Sequence, residues 1–120
     1  MTISVVGVDL SKSIFQLSVA DAKHRVIERK RLSRTQFHRF LAQTTSARLV
    51  MEACGTSNYW ARTAQLHGHE VKLLHAKYVK AYVRRTKTEA ADADALVLAD
   101  GDSSLLPIPI KSEELQALQG

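Results

Sequence analysis

Two short apolar runs, each ending on an acid, constrain what this chain can fold into. Ile3, Val5, Val6 and Val8 form a β-branched run stopped by Asp9 and the polar Ser11-Lys12-Ser13; residues 47–51, with Val50, form a second run stopped by Glu52. β-branched side chains suit a pleated surface, and continuous apolar runs of this length read as strands covered on both faces. Such strands need helices above and below them, so the fold class is α/β.

The segments between fill in the order. Phe15, Leu17 and Val19 alternate with Gln16, Ser18 and Ala20, a second strand with one polar face. Asp21-Ala22-Lys23-His24 reads as a hairpin turn into a third strand, 25–32, whose Val26 and Ile27 lie among charges and suit an exposed edge. Ser33 is a helix N-cap, Gln36 completes a capping box, and Phe37, Phe40 and Leu41 share one face of a helix ending near Thr44. The Gly55-Thr56-Ser57 turn opens a helix through His67 with Trp60, Ala64 and Leu66 inward, and Gly68 ends it. Val71, Leu73 and Leu74 make a fifth strand, after which a basic segment leads into an alanine-rich helix over 89–99. Asp100-Gly101-Asp102 stops that helix, giving the order βββαβαβα: a mixed five-stranded sheet, the first three strands antiparallel, flanked by helices.

Residues 105–110 are an extended proline-containing segment, and Ser112 followed by Glu113, Glu114 and Leu115 opens a further helix that the chain does not complete. One domain is expected over 1–102, with 103–120 as an extended segment and the start of a truncated connecting helix. The chain then reads as an excised domain or a truncated product.

Composition excludes several classes. With 45% hydrophobic and 24% charged residues the chain is not disordered, and no apolar run approaches the roughly 20 residues of a membrane helix. Met1 opens no signal-type segment, so a cytoplasmic location without a membrane partner is expected. A single cysteine, Cys54, rules out an internal disulfide and is read as a core or strand-end thiol. His67 and His69 flank Gly68 and are read as structural, not zinc-binding.

The net charge of +5 points to a polyanionic partner, and its distribution says where. Residues 75–88 hold Lys77, Lys80, Arg84, Arg85 and Lys87 with no acid among them, and Tyr78 and Tyr82 are interleaved. Cations there can hold phosphates while rings stack on bases; the plainer alternative is a solvated helix face. A second cluster, Arg29, Lys30, Arg31 and Arg34, is equally well explained as protection of an edge strand, and Lys12 as a turn lysine.

Glu89 and Asp92, spaced i, i+3, share a helix face, while Asp9 and Glu52 end strands. Carboxyl ends of neighbouring strands converge on one edge of an α/β sheet. Carboxylates gathered there repel unless cations intervene, and hard oxygen donors select Mg²⁺ or Mn²⁺, which in pairs can drive phosphodiester chemistry. Singly, each acid is more simply a turn former, a cap or a first-turn residue favoured by the helix dipole; their joint placement carries the metal reading. Asp9 and Glu52 are expected on adjacent strands with carboxylates within roughly 8 Å, the reach of two bridging metals. Asp94 falls off the Glu89/Asp92 face and is read as a surface acid.

Four strings, GVDLSKSIFQLSVAD, VMEACGTSNYWARTAQLHGHEVKLL, YVKAYVRRTKTEAADADA and PIPIKSEELQAL, resemble in order and spacing the N-terminal domain of DEDD-type insertion-sequence transposases of the IS110 family. These are RNA-guided recombinases related in mechanism to the Piv-type invertases. The resemblance implies an RNase H-like (RuvC-like) fold in which Asp9, Glu52, Glu89 and Asp92 bind divalent metal and act on DNA. It also implies a structured guide RNA as partner in the full-length protein, self-association through regions beyond this chain, and a C-terminal domain with a nucleophilic serine. Glu89 departs from the pattern, which usually has aspartate there. Two rival readings remain: a non-catalytic nucleic-acid-binding fragment disabled at Glu89, and a sugar-kinase or actin-like fragment, for which the five scattered glycines supply no phosphate loop.

Overall fold

Each apolar run forms the strand its composition favours. The computed structural model describes residues 4–11, 13–83 and 91–119. In chain order they form β1 (Val5–Asp9), β2 (Ile14–Ala20), β3 (Val26–Ser33), α1 (Arg34–Gln43), β4 (Arg48–Glu52), α2 (Ser57–Leu66), β5 (Glu70–Leu74), α3 (Ala76–Val83), α4 (Ala91–Asp100) and α5 (Glu113–Gln119). The sheet order is β3-β2-β1-β4-β5. β1 pairs antiparallel with β2 and β2 with β3, whereas β1 pairs parallel with β4 and β4 with β5, so the expected mixed sheet is present with β3 on its edge.

Strand alternation divides the core in two. Val6, Val8, Leu17, Leu49, Met51 and Leu73 pack under α1 and α2 against Phe37, Leu41, Trp60, Ala61 and Ala64. Phe15 meets Phe37 and Trp60 edge-on at 5.4 and 5.2 Å between centroids, contacts that add about 0.5–1.5 kcal/mol each beyond area burial. On the opposite face Val5, Val50 and Leu74 meet Val79 of α3 and Ala95, Leu96, Val97 and Ala99 of α4. Gly7 lies on that face, where a Cβ would come 2.3 Å from the Ala93 carbonyl oxygen. Only glycine lets the α4 backbone lie this close to β1.

Local signals account for most boundaries. The Ser33 hydroxyl accepts from the Gln36 N–H and the Gln36 side chain accepts from the Ser33 N–H, a complete capping box. Gly68 takes φ 86° beyond α2, which glycine adopts without penalty. At the other end of α2 the Thr56 side chain makes no capping bond; the Ser57 hydroxyl instead bridges the Cys54 N–H and carbonyl.

Two expectations are corrected. Leu66 was expected inward and is 86% exposed. It follows Ala64 by two residues, about 200° round the helix from the buried stripe of Trp60, Ala61 and Ala64. The basic segment is not merely a lead-in, since α3 is a helix of its own, packed on α4. The expected helix start at Glu89 lies outside the described residues, and the described part of α4 begins at Ala91.

The segment after α4 lies against the sheet and α2. Ile108 forms an antiparallel bridge with Leu73, its N–H donating to the Leu73 carbonyl at 2.8 Å, and Ile108 and Ile110 pack on the first core. Arg62 donates to the Lys111 carbonyl at 2.6 Å and to Gln116 at 3.0 Å, and the Lys111 N–H donates to Asn58 at 2.7 Å. No described helix is long and apolar enough to cross a membrane.

Candidate active site

Strand register brings the first two acids together. In the parallel β1/β4 ladder Val8 stands beside Met51, so Asp9 and Glu52, one residue on, end adjacent strands. Both follow the alternation of Val5, Gly7 and Val50 onto the α4 face, and the first turn of α4 supplies Asp92. Asp9, Glu52 and Asp92 line one cavity of about 220 Å³ together with Leu10, Cys54 and Leu96.

Electrostatics agree with that convergence. The Asp9 carboxyl is pushed above the usual aspartate range, first by burial, then by the charges of Asp92 and Glu52. No lysine, arginine or histidine forms an ion pair with any of the three among the described residues. Nor do three acidic, cysteine or histidine side chains there close into a group that could hold a metal ion by itself. Bare carboxylates repel, which favours such spreading. Glu89, the fourth acid, lies outside the described residues.

Asp94 is not the surface acid expected from its place off the Asp92 face. It is 5% exposed, accepts from the buried Ser18 hydroxyl, and receives Arg29 Nε at 3.1 Å and Nη2 at 2.9 Å. The first turn of α4 lies over β1 and β2, so the flank next to Asp92 meets the sheet, not water. Arg29 of the edge cluster is thereby committed to Asp94, and Lys30 lies 3.3 Å from Glu28.

Asp100 is a buried charge that sequence reading treated only as a helix stop. It accepts from Arg48 at 2.7–3.1 Å, from Lys72 at 3.1 Å and lies 2.8 Å from His24 Nε2. Burial opposes its charge, but the bonds from Arg48, His24 and Lys72 outweigh it and hold the carboxyl below its usual range. An acid at a helix C-terminus opposes the helix dipole, and that was the available signal. His69 is structural as expected: buried, its Nδ1 accepts from the Ala47 N–H and its Nε2 donates to the Leu41 carbonyl. Cys54 is an exposed strand-end thiol at the cavity, not a core one.

Of the expected nucleic-acid-binding residues, Lys77 and Lys80 are exposed on α3. Tyr78 is half-buried with Lys77 Nζ 5.2 Å above its ring. Tyr82 packs on the second core and donates its hydroxyl to Asp102 at 2.7 Å. Arg84, Arg85 and Lys87, like Lys12, lie outside the described residues.

This fold is the RNase H-like, RuvC-like arrangement. The structure of T. thermophilus RuvC in complex with Holliday junction substrate superposes with a TM-score of 0.56 at 15% identity, covering 90% of this chain and 100% of that one. Residues 6–120 match the DEDD transposase family of IS110 type, described as "Transposase". The chain belongs to that family, as an N-terminal DEDD domain. It is 40% identical over 119 residues to a "Probable family 20 transposase" of Pseudomonas aeruginosa, covering 99% of this chain and 35% of the relative. It is 35% identical over 117 residues to the transposase for insertion sequence element IS1111A of Coxiella burnetii, covering 98% and 32%. The chain thus spans about a third of the length of these relatives. Membership sets aside the sugar-kinase reading.

Proposed function

We propose that this domain supplies the metal-binding acids with which a full-length transposase breaks DNA phosphodiester bonds. The observation that carries the reading is the gathering of Asp9, Glu52 and Asp92 on one cavity, with no counter-charge on them among the described residues. Hard oxygen donors on one cavity of about 220 Å³ have the chemistry that Mg²⁺ or Mn²⁺ prefers, and such an ion, keeping several of its waters, would draw together acids that stand apart without it. Asp9, Glu52 and Asp92, with Glu89, would hold it. Such an ion supplies charge stabilisation at a phosphoryl oxygen and a nucleophile near neutral pH. The chain's own part is to hold these acids at one edge of a rigid sheet, where burial and the charges of Asp92 and Glu52 make ionised Asp9 costlier until a cation offsets it.

Lys77 and Lys80, exposed on α3, support a nucleic-acid surface, to which Arg84, Arg85 and Lys87 would add their charge, with Tyr78 and Tyr82 packed along the same helix. DNA is the favoured substrate, with a structured guide RNA and self-association belonging to the full-length protein. In this reading residues 1–102 are the catalytic domain, 103–120 lead towards the remainder, and the protein works in the cytoplasm.

Calorimetric titration with Mg²⁺ and Mn²⁺ at low ionic strength tests the site. The parent is expected to bind weakly, because Glu89 is one methylene longer than the family's usual aspartate. Asp9→Asn should abolish binding and Glu89→Asp should tighten it severalfold. Equal affinity in all three proteins would remove the metal site.

A further inference from the structure

We infer that the groove between the N-terminal parts of α1 and α2 is a stacking site for one unpaired nucleobase of the strand that reaches the acid cavity; this rests on the function proposed above. The groove has a volume of about 360 Å³ and is lined by Arg34, His38, Gly55, Thr56, Tyr59 and Trp60.

Its chemistry is aromatic and cationic together. Trp60, 4% exposed, forms the floor and is wedged against Phe15 and Phe37 of the core. His38 and Tyr59 pack on it as neighbours, 4.7 and 5.1 Å from its ring centroid and edge to face with each other at 6.4 Å. Tyr59 is 49% exposed. An exposed ring supported from below by a buried aromatic cluster is a rigid platform, and every base offers a π-face to it. Arg34 lies one helical turn before His38, and no carboxylate pairs with it among the described residues, so it is available to a phosphate.

Position selects the occupant. The turn after Glu52 borders the acid cavity through Cys54 and the groove through Gly55 and Thr56. A strand whose phosphate sits among the acids therefore passes this turn and meets the aromatic floor. A Cβ on Gly55 would meet nothing within 4 Å, so the groove is open there and can be filled without disturbing the fold.

Trp60 is the chain's sole tryptophan, so its fluorescence reports the groove directly. The chain is titrated, in EDTA at low salt, with an oligothymidine of about ten nucleotides and with an abasic analogue of the same length. Oligothymidine should quench Trp60 and bind about tenfold more tightly than the abasic strand, which should leave the emission unchanged. Tyr59→Ala and, independently, Gly55→Leu should abolish that preference while leaving abasic binding as in the parent. Lys77→Ala/Lys80→Ala should weaken both strands equally. If both strands bind alike, or if Tyr59→Ala and Gly55→Leu both keep the preference, the stacking site is refuted while the nucleic-acid surface stands. If neither strand binds, that surface falls with it. EDTA keeps the result independent of the metal site.

Discussion

Helix α4 carries acids of opposite character at its two ends. At its start Asp92 faces Asp9 and Glu52 across a cavity, with no cation pairing any of them among the described residues. At its end Asp100 is buried and held by Arg48, Lys72 and His24. β4 shows the same polarity, with Arg48 at its first residue against Asp100 and Glu52 at its last against Asp9. Where folding alone sets the requirements, a buried charge is surrounded by partners; where charges are left facing one another, something outside the chain must offset them. Asp94, two residues after Asp92, belongs to the paired class.

The comparison breaks most readily at Asp100. Asp100→Ala should destabilise the domain towards the lower end of about 3–5 kcal/mol, since it leaves Lys72 without its carboxylate and Arg48 with only the longer 3.7 Å pair to Glu70, both cations being only partly exposed. Urea unfolding followed by Trp60 fluorescence measures it, and a loss under about 1 kcal/mol would erase the contrast. Asp94→Ala should cost about 1–3 kcal/mol by leaving the buried Ser18 hydroxyl unpaired. Asp9→Asn should do the reverse, leaving stability unchanged or raising it by up to about 1 kcal/mol.

The pH dependence sharpens that last difference. The folded-state pKa of Asp9 is raised, so ionising it costs more in the folded than in the unfolded chain, and the penalty is present above the folded pKa. The advantage of Asp9→Asn should therefore be largest near neutrality and vanish as the pH falls below the ordinary aspartate value. Asp100 has the opposite sign: its lowered pKa gives stability above the ordinary value that is lost as pH falls through the folded one. An Asp9→Asn advantage that grew with acidity would contradict the crowding of the acids.

Sequence reading did better with elements than with partners. The β-branched runs, the Ser33–Gln36 capping box and Gly68 are local signals whose physics acts within a few residues, and the strands and helices follow them. Asp9 and Glu52 were legible because a strand-end acid needs only the strand to be right. Asp94 and Asp100 were not, because their partners Ser18, Arg29, Arg48 and Lys72 lie 28 to 76 residues away, and nothing local distinguishes a buried acid from a solvated one. The aromatic groove was hidden similarly: Trp60 read as core, which it is, but the spacing of Tyr59 and His38 around it depends on how α1 and α2 meet.

The bridge between Ile108 and Leu73 has a consequence for anyone who trims this chain. β5 would otherwise offer an uncovered ladder to solvent, and a bare edge beside apolar neighbours recruits the edge of another molecule. The residues after 102 act as a stitch in that selvage, closing it at Leu73, while β3 on the other side is guarded by Glu28, Lys30 and Arg31. A shorter version ending at Asp102 would keep every acid of the cavity and yet be prone to self-association into soluble oligomers or precipitate.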